Sequence, residues 1–384
     1  MNLMKILMVT AEPPGPPRNG IGKFVQEFLP ALREKAEVKV LSLQLDPYLI
    51  PKEALPKIDE GDTSWADWAY RIENDWYSDS FEGRMWISAH RAYPLVKTIL
   101  KEFTPDIIYL QSPKVWLPFR YEKNVIMAFH SLGKSIVGKK VPDAGWVGNW
   151  RSEADALRRA DRAVVFSSKM ANELVKNYEN VRQPVKLPLG INITEFSPEK
   201  NQKVLEVAFF GRLVDSDKGC LSYLDAAKKL SVSGKYSKVT FHVYGEGPDA
   251  IPEDYPEVIF HGHVSGADLV SAFNRTHIVV MPSRQEPFGY VGLEAMAGGC
   301  LLLCTEGQGM DDYLVPGENY VPIFPEADSI VMNLEKVFQN WSDYQNLILG
   351  GLETVSQWTW ERSVNRHLEV FEQILQGEKA LVEG

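Results

Sequence analysis

Short runs of apolar and β-branched residues alternate with longer stretches of helical period along most of this chain. Runs of this length are typical of strands buried on both faces, and the alternation indicates parallel β-α-β units. The first set of predicted strands covers residues 6–9, 38–41, 107–110, 125–129, 163–166 and 185–188. The second set covers residues 205–210, 239–243, 258–261, 278–281 and 301–304. The pattern therefore predicts an α/β fold.

A turn-rich segment at 189–198 separates the two sets of strands and is predicted to be a linker. We place a domain boundary near residue 190 and expect two doubly wound α/β domains that face a cleft. A length of 384 residues is enough for two domains with a core each. The stretch 46–91 is polar and Trp-rich without a clear period, and is predicted to be an elaboration of the first domain.

Composition narrows the class of protein. Apolar residues make up 45% and charged residues 24%, as in ordinary globular proteins, and the net charge of −10 disfavours binding to nucleic acid. No apolar run approaches the ~20 residues that span a bilayer, and the first apolar run is predicted to be a strand rather than a signal peptide. We therefore expect a cytoplasmic protein without stable membrane insertion. Three cysteines are too few for a disulfide framework and are predicted to be small buried hydrophobes: Cys220, Cys300 and Cys304.

Two glutamates with seven residues between them follow the predicted strand 278–281. Glu286 falls in the strand-to-helix loop, whereas Glu294 falls one to two turns into the helix. Open parallel sheets bind ligands at the carboxyl ends of their strands. Two glutamates on a helix usually indicate a solvated face, but the Pro-Phe-Gly insert after Glu286 disfavours that interpretation. The first helical turn offers unpaired N–H groups for an anion, at Phe288, Gly289, Tyr290 and Val291. Carboxylates beside an anion site suit a nucleotide sugar.

The loop after the predicted strand 205–210 carries two cations, Arg212 and Lys218, which suit phosphate oxygens. From the residues alone, a solvated loop is an equally good interpretation. The same loop contains an Asp-x-Asp triplet, Asp215 and Asp217. Because the triplet lies between two cations that already neutralise a diphosphate, we predict that it solvates the loop and that no metal is required.

In the first half, Gly20 and Gly22 open a predicted helix after the first strand and allow its N-terminus to approach a phosphate closely. A nicotinamide site is disfavoured because the full Gly-x-Gly-x-x-Gly is absent. His130 follows the predicted strand 125–129, where it can bind a sugar hydroxyl or form a structural hydrogen bond. The triplet 133–135, Gly-Lys-Ser, does not form a P-loop because Ala128 occupies the position of the first Gly.

These segments, taken together and in order, resemble the retaining GT-B glycosyltransferases of the family 4 type. The Glu-x7-Glu pair, the Gly-Arg-Leu…Lys-Gly stretch at 211–219 and the His-Ser-Leu-Gly stretch at 130–133 carry the resemblance, the last being similar to sucrose-phosphate-synthase-like members. Shorter matches lie at 188–198, 245–248, 262–264 and 358–363. The resemblance implies two Rossmann-like domains, an acceptor-binding domain at 1–188 and a donor-binding domain at 189–360. It also implies that a final helix at about 361–376 packs back on the first domain.

The resemblance also implies roles for the site residues. Glu286 orients the hydroxyl groups of the donor sugar, and Glu294 holds the nucleotide ribose. Arg212 and Lys218 bind the diphosphate, and His130 braces the sugar from the other domain. The stretch 262–264 borders the nucleotide base through His263 and Val264. A UDP-sugar is the expected donor, with no further cofactor.

The reaction implied is metal-independent hexosyl transfer with retention of configuration. The loop after the first strand, 12–23, contains no His and only Glu12 as an acid, so the general base usual in inverting enzymes is missing. Seven of the ten Trp precede residue 151. Any one of them is expected to fill the core or brace a loop, and only one or two are expected to line the acceptor cleft, where an aromatic face can stack on a sugar or cyclitol. No basic amphipathic helix is evident, so we expect a small soluble acceptor: a sugar, cyclitol or sugar phosphate. Two alternatives remain open, a hydrolysing sugar-nucleotide epimerase on the same fold and a non-catalytic nucleotide-sugar-binding protein.

Overall fold

A computed structural model describes residues 3–11, 20–45, 65–72, 81–132, 144–201, 203–247 and 255–377. The chain divides into two compact units. The first unit combines Met1–Leu189 with Trp360–Gly384, and the second unit is Gly190–Thr359. The division between Leu189 and Gly190 falls where the turn-rich segment placed a boundary, near residue 190, and one residue after the end at 188 that the resemblance implied. Each unit contains one parallel sheet covered by helices.

The first unit is built on a seven-stranded parallel sheet with the order β3-β2-β1-β4-β5-β6-β7 among the described residues. Its strands are β1 Lys5–Thr10, β2 Glu37–Leu45, β3 Trp68–Ile72, β4 Ile107–Leu110, β5 Val125–Phe129, β6 Arg162–Val165 and β7 Val185–Lys186. Four of its helices are α1 Gly20–Arg33, α2 Phe81–Phe103, α3 Ala144–Arg159 and α4 Ser168–Asn177. The central strands are apolar on both faces because helices cover both, as β4 shows with four buried residues in succession.

The second unit is built on a six-stranded parallel sheet with the order β10-β9-β8-β11-β12-β13 in the described part of the chain. Its strands are β8 Leu205–Phe210, β9 Val239–Tyr244, β10 Val258–Phe260, β11 Ile278–Met281, β12 Leu301–Thr305 and β13 Val321–Ile323. Its helices are α5 Asp215–Lys218, α6 Cys220–Val232, α7 Gly266–Arg275, α8 Tyr290–Ala297, α9 Ala327–Gln339 and α10 Gln345–Ser356. All three cysteines are buried free thiols, as predicted.

The last helix, α11 Trp360–Leu375, belongs to the first unit. It buries one apolar face there, which includes Trp360 and Phe371. The indole N–H of Trp360 donates to Glu27 Oε2 at 3.1 Å, and the Ser363 hydroxyl donates to the Pro188 carbonyl at 2.7 Å. None of the helices described is long and apolar enough to cross a membrane.

The predicted α/β fold is confirmed, and every predicted strand is present with small shifts at its ends. Two strands were missed, and both lie at a sheet edge. Within the described ranges, β3 pairs with β2 alone and β13 with β12 alone. Edge strands need fewer apolar residues and tolerate proline. Arg71 and Pro322 interrupt the apolar runs of these two strands, so the hydrophobic pattern did not predict them.

Each sheet has a point where the strand order reverses. In the first sheet the order reverses between β1 and β4, and in the second between β8 and β11. Connections leave in opposite directions on the two sides of such a point, so a crevice forms outside the carboxyl ends of the two strands. The two crevices are where the predicted site residues must be sought.

Candidate active site

At the crevice of the second unit, the loops that follow β8 and β11 are bound together by their backbones. The N–H groups of Arg284 and Gln285 both donate to the Asp217 carbonyl, at 2.7 and 3.0 Å. Gly219 has φ +65°, and a Cβ at this position would lie 2.2 Å from the Pro282 carbonyl oxygen. Only glycine fits such a contact. The two loops that carry the predicted donor-binding residues are thus fixed against each other.

Lys218 and Glu286 meet across these two loops. The Lys218 ammonium, at the end of α5, donates to Glu286 Oε2 in an ion pair. Glu286 is 9% exposed. Its own N–H donates to Gln308 Oε1 at 2.9 Å, and its carbonyl accepts from the Gly309 N–H at 2.9 Å. A third loop, after β12, therefore holds the backbone of Glu286 in place.

Arg212 stands at the carboxyl end of β8, directly after Gly211. Its side chain is exposed. No ion pair or hydrogen bond engages its guanidinium group within the residues that the structure describes. In contrast to Lys218, this cation is therefore open to an anion from solvent.

Arg284, which the sequence analysis did not single out, has a structural role in the same loop. Its guanidinium donates to the carbonyls of Asp215 and Pro325, both at 2.9 Å. The Asp215 carboxylate lies 3.6 Å from this guanidinium and accepts from the Leu221 N–H at 2.9 Å. Asp215 is thus part of the loop scaffold, which corrects the expectation that it only solvates the loop. No group of three or more His, Cys, Asp or Glu side chains suited to a metal occurs among the described residues.

The predicted anion site at the start of α8 begins with Gly289, whose φ of +85° turns the chain into the helix. Phe288 is buried against the rings of Tyr313 and Trp358, with ring centres 5.9 and 5.8 Å away. The Tyr313 hydroxyl donates to the Gly289 carbonyl. Burial raises the pKa of Tyr313 well above its usual value, so this hydroxyl stays protonated. The turn is thus held in place by the rings of Tyr313 and Trp358 and by the Tyr313 hydrogen bond.

Three further residues of the candidate site lie within α8: Tyr290, Val291 and Glu294. Tyr290 is the first residue of the helix, and Tyr290 and Val291 are half-buried. Glu294 lies in the second turn and is only 4% exposed. A carboxylate buried to this extent is unusual on a helix surface. The interpretation of the two glutamates as a solvated face is therefore wrong for both Glu286 and Glu294.

The residues expected near the nucleotide base lie at the same edge of the second sheet. His263 and Val264 follow β10, with the His263 side chain exposed and Val264 half-buried. The His263 N–H donates to Glu246 Oε1 at 3.2 Å. Gly245, after β9, donates its N–H to the Gly262 carbonyl at 2.8 Å. The loops after β9 and β10 therefore run side by side.

In the first unit, His130 directly follows β5 and is packed among aromatic rings. Its ring centre lies 4.6 Å from that of Phe166 and 5.1 Å from that of Phe24. Its Nε2 lies 3.1 Å from Gln111 Oε1, which can only accept, so Nε2 carries the proton. Burial, together with the nearby His367, lowers the pKa of His130 to about 3. The imidazole is therefore neutral at physiological pH.

Gln111 is a site residue that sequence reasoning missed. It is fully buried and directly follows β4, at the strand-order reversal of the first sheet. In the second unit, Gln308 lies three residues after β12, in the loop that holds Glu286. For Gln111, the signal in the sequence was a polar residue directly after a predicted buried strand. The predicted helix start is also in place, because α1 begins at Gly20, with Gly22 buried two residues later.

Some predictions fall outside the described residues. These are the loop positions 12–19, the triplet 133–135, most of the stretch 46–91 including Trp76, and the side chains of Trp146 and Trp150. Among the described tryptophans, Trp116 is buried and its indole N–H donates to Asp155 at 2.8 Å, which is a structural role. Trp86, in contrast, is 45% exposed.

Comparison with known proteins gives two family matches. The model described as "Glycosyltransferase Family 4" matches residues 18–195, and the model described as "Glycosyl transferases group 1" matches residues 205–340. A GDP-mannose-dependent alpha-mannosyltransferase of Corynebacterium glutamicum is 24% identical over 307 residues, which cover 73% of this chain and 71% of that protein. An uncharacterised glycosyltransferase of Methanocaldococcus jannaschii is 27% identical over 117 residues, and this match covers 30% of each chain.

Solved structures share the fold over almost the full length. Sucrose-phosphate synthase from Thermosynechococcus elongatus matches with a TM-score of 0.76 and 17% identity, covering 98% of this chain and 100% of that one. The Anabaena protein HepE, in complex with UDP and glucose, matches with a TM-score of 0.70 and 15% identity, covering 96% and 100%. At these identities the likeness concerns the fold.

Proposed function

We propose that this chain is a glycosyltransferase that transfers a hexosyl group from a nucleoside diphosphate sugar to a hydroxyl group of a small soluble acceptor. Two glycosyltransferase family models match residues 18–195 and 205–340, and the fold is GT-B. The acceptor class is a sugar, a cyclitol or a sugar phosphate, the reaction retains the anomeric configuration, and it takes place in the cytoplasm. The observation that carries the proposal is the Lys218–Glu286 ion pair at the strand-order reversal of the second sheet, where Lys218 shares the segment after β8 with the exposed Arg212.

The two cations are assigned to the diphosphate. Arg212 is open to solvent, and a guanidinium can bind two phosphate oxygens at once. An ammonium has three N–H donors, so Lys218 can keep its bond to Glu286 and still donate to a phosphate oxygen. When the bond to the sugar breaks, the diphosphate gains negative charge, and fixed cations lower the barrier for that step.

The carboxylates are assigned to the neutral parts of the donor. Glu286 has one oxygen bound to Lys218, which leaves its second oxygen to accept from sugar hydroxyl groups. Glu294 is assigned to the ribose. The N–H groups of the α8 turn at Phe288–Val291 are assigned to the diphosphate, which joins the ribose to the sugar in the donor. His263 and Val264 are assigned to the base. UDP is named in the description of the HepE structure and GDP-mannose in that of the corynebacterial relative, and we favour UDP for this chain.

His130 is assigned a positioning contact with a sugar hydroxyl, since a neutral ring with its Nε2 proton held by Gln111 is a poor acid at pH 7. No protein group then needs to take the proton. The bond between the anomeric carbon and the diphosphate oxygen breaks, the acceptor oxygen bonds to the same face of that carbon, and its proton passes to the departing diphosphate. The protein supplies position and charge stabilisation. No metal is required by this scheme.

The test starts with a thermal-shift screen of UDP, GDP and their α-linked hexose conjugates, because a ligand that binds the folded protein raises its melting temperature. The donor selected is then incubated with sugar, cyclitol and sugar phosphate acceptors in the presence of EDTA. Proton NMR of the first product should show an α linkage. A β-linked product would overturn retention, and an absolute need for Mg²⁺ or Mn²⁺ would overturn metal independence. Consumption of the donor without any acceptor would identify a hydrolysing epimerase instead.

A further inference from the structure

A cavity of about 640 Å³ lies in the second unit, away from the candidate active site. Residues at the amino ends of β8 and β9, Leu205 and Val239, line it. The candidate active site lies at the carboxyl ends of the same two strands, where Gly211 and Gly245 follow them. The two regions are therefore at opposite ends of one sheet, and a ligand in the cavity would not touch the donor-binding residues.

One wall of the cavity is aromatic and aliphatic. Tyr236, Phe338 and Trp341 line it and are all half-buried, as are Ile348 and Leu352. The rings of Tyr236 and Phe338 pack together with centres 5.0 Å apart. Half-buried rings on a concave surface offer their faces to a planar or apolar ligand, and the volume lies within the roughly 300–1,000 Å³ usual for small-molecule sites.

The polar lining is entirely cationic or neutral. Among the described residues, four lysines line the cavity and no aspartate or glutamate does: Lys200, Lys203, Lys235 and Lys238. This is unexpected in a chain with a net charge of −10. Lys200 is engaged internally, since its ammonium donates to the carbonyls of Phe273 at 3.0 Å and Gly298 at 2.7 Å. It ties together the ends of α7 and α8.

The other three lysines are exposed, and within the described part of the chain none of them forms an ion pair. The histidine of the lining, His277, already has both ring nitrogens bound. Its Nδ1 accepts from the Glu206 N–H at 3.1 Å, and its Nε2 donates to the Asn201 carbonyl at 2.9 Å. The charged groups left to bind a ligand are therefore the three lysine ammonium groups, beside the aromatic wall and the neutral polar side chains of Asn201, Ser237 and Gln345.

We propose that this cavity is a second ligand site, separate from the donor site, and that it binds an organic phosphate with a planar ring. The ring would lie on the wall formed by Tyr236, Phe338 and Trp341, and the phosphate would meet Lys203, Lys235 and Lys238. An apolar molecule without charge would leave the lysines unused, and a bare inorganic anion would leave the aromatic wall unused. The proposal does not depend on the identity of the donor or of the acceptor.

Pyridoxal 5′-phosphate is a suitable probe, because it joins a planar ring to a phosphate and can be attached covalently to the lysine beside which it binds. Its aldehyde condenses with a lysine amine, releasing water, and borohydride reduces the imine to a stable secondary amine. After brief labelling of the full chain at limiting reagent, peptide mass spectrometry should find Lys203, Lys235 and Lys238 labelled about tenfold more than the exposed Lys123 and Lys176. Pyridoxal without the phosphate should lose this preference.

Two variants separate the cavity from general surface reactivity. Gln345→Trp places a bulky ring in the cavity lining and should abolish the preference for Lys203. In Lys235→Glu/Lys238→Glu, labelling of Lys203 should fall about tenfold, whereas Lys123→Glu/Lys176→Glu, with the same change in net charge, should leave it unchanged. Circular dichroism melts confirm that each variant is folded. Equal labelling of the cavity lysines and of Lys123 and Lys176 in the unaltered chain, or labelling centred on Lys218, would overturn the proposal.

Discussion

The two units share one architecture but equip their crevices with opposite chemistry. In the first unit, the described residues that directly follow β4 and β5 are neutral: Gln111 and His130, whose pKa is lowered and whose ring packs against Phe24 and Phe166. In the second unit they are charged, and Lys218 and Glu286 form an ion pair with little exposure to solvent. The same crevice can therefore be specialised for shape in one copy of the fold and for charge in the other.

This difference predicts two kinds of mutational response. A charged crevice should respond to the loss of a single charge in both stability and donor affinity, because a partly buried partner is left uncompensated. A neutral, ring-packed crevice should respond mainly to changes in shape and hydrogen bonding, with small effects on affinity. The following experiments test that contrast, from the largest expected effect to the smallest.

The largest effect is expected for Lys218→Met. Removing the ammonium leaves Glu286 buried without its partner, which should lower the free energy of unfolding by about 3–5 kcal/mol. Turnover should also fall about ten- to a hundredfold through the loss of a charge-assisted hydrogen bond. Urea unfolding and initial rates measure the two effects. The double variant Lys218→Met/Glu286→Gln should recover most of the stability but none of the activity, and an unchanged stability of the single variant would contradict the buried pair.

Arg212→Ala should weaken donor binding without weakening the fold. The exposed guanidinium has no partner to leave behind, so the free energy of unfolding should change by less than about 0.5 kcal/mol. Loss of a charged hydrogen bond to the diphosphate should cost about 1.5–3 kcal/mol, or about ten- to a hundredfold in affinity. Isothermal titration with UDP measures this. Arg158→Ala removes another exposed arginine and serves as the control, and equal affinities in the two variants would remove Arg212 from the site.

The neutral crevice predicts an acid-sensitive first unit. His367 is fully buried, its Nδ1–H donates to the Ser363 carbonyl at 2.7 Å and its Nε2 accepts from Tyr109, and burial lowers its pKa to about 4. The unfolded imidazole, with a pKa of about 6.5, takes up a proton at higher pH, so stability falls as pH drops from 6.5 towards 4. Between pH 7 and pH 5 this should cost about 2 kcal/mol.

His367→Asn removes the titrating group while keeping one donor and one acceptor. Its free energy of unfolding should therefore change less between pH 7 and pH 5 than that of the unaltered chain, by about 2 kcal/mol. The control is His90→Asn, at an exposed position on α2. If urea unfolding of His367→Asn and His90→Asn gives the same pH slope, the buried neutral imidazole is not the source of the acid sensitivity.

The smallest effect is expected for His130→Phe. Phenylalanine keeps the ring packing against Phe24 and Phe166 but cannot hydrogen-bond, so turnover should fall only about two- to tenfold, with donor affinity nearly unchanged. Because the pKa of His130 is lowered to about 3, the unaltered enzyme should show no titration from this imidazole between pH 5 and pH 8. An acid limb near pH 6.5 that disappears in His130→Phe would show that the ring titrates during catalysis.

The sequence was most informative where structure is local. The buried strands such as β4 and β5 have bounds that match the prediction, because four or five consecutive apolar residues suffice to define a strand covered on both faces. The start of α8 was also predictable, since the Pro-Phe-Gly turn before Tyr290 breaks the strand pattern. Pro322, in contrast, hid β13, because only pairing with β12 reveals that this segment is a strand.

The sequence could predict which residues belong to the candidate site but not which of them contact each other. Arg212, Lys218, Glu286 and Glu294 could be selected from type and position, and the structure places them all in the second unit near β8 and β11. The ion pair between Lys218 and Glu286 joins residues 68 positions apart and depends on how two loops settle against each other. The position of Gln111 after a buried strand could be seen in the sequence, but its pairing with His130 depends on β4 and β5 being neighbours in the sheet.

The close contact at Gly219 determines how this position would respond to saturation mutagenesis, in which each residue is replaced by all the others. Any side chain there must push the Pro282 carbonyl away, since even a Cβ would lie 2.2 Å from it, and so must move Lys218 relative to Glu286. Substitutions at Gly219 would therefore reduce function about as strongly as substitutions of the residues that touch the donor, although glycine has no functional group of its own. The positions that tolerate no substitution would therefore include the contact between the two loops as well as the residues that bind the donor.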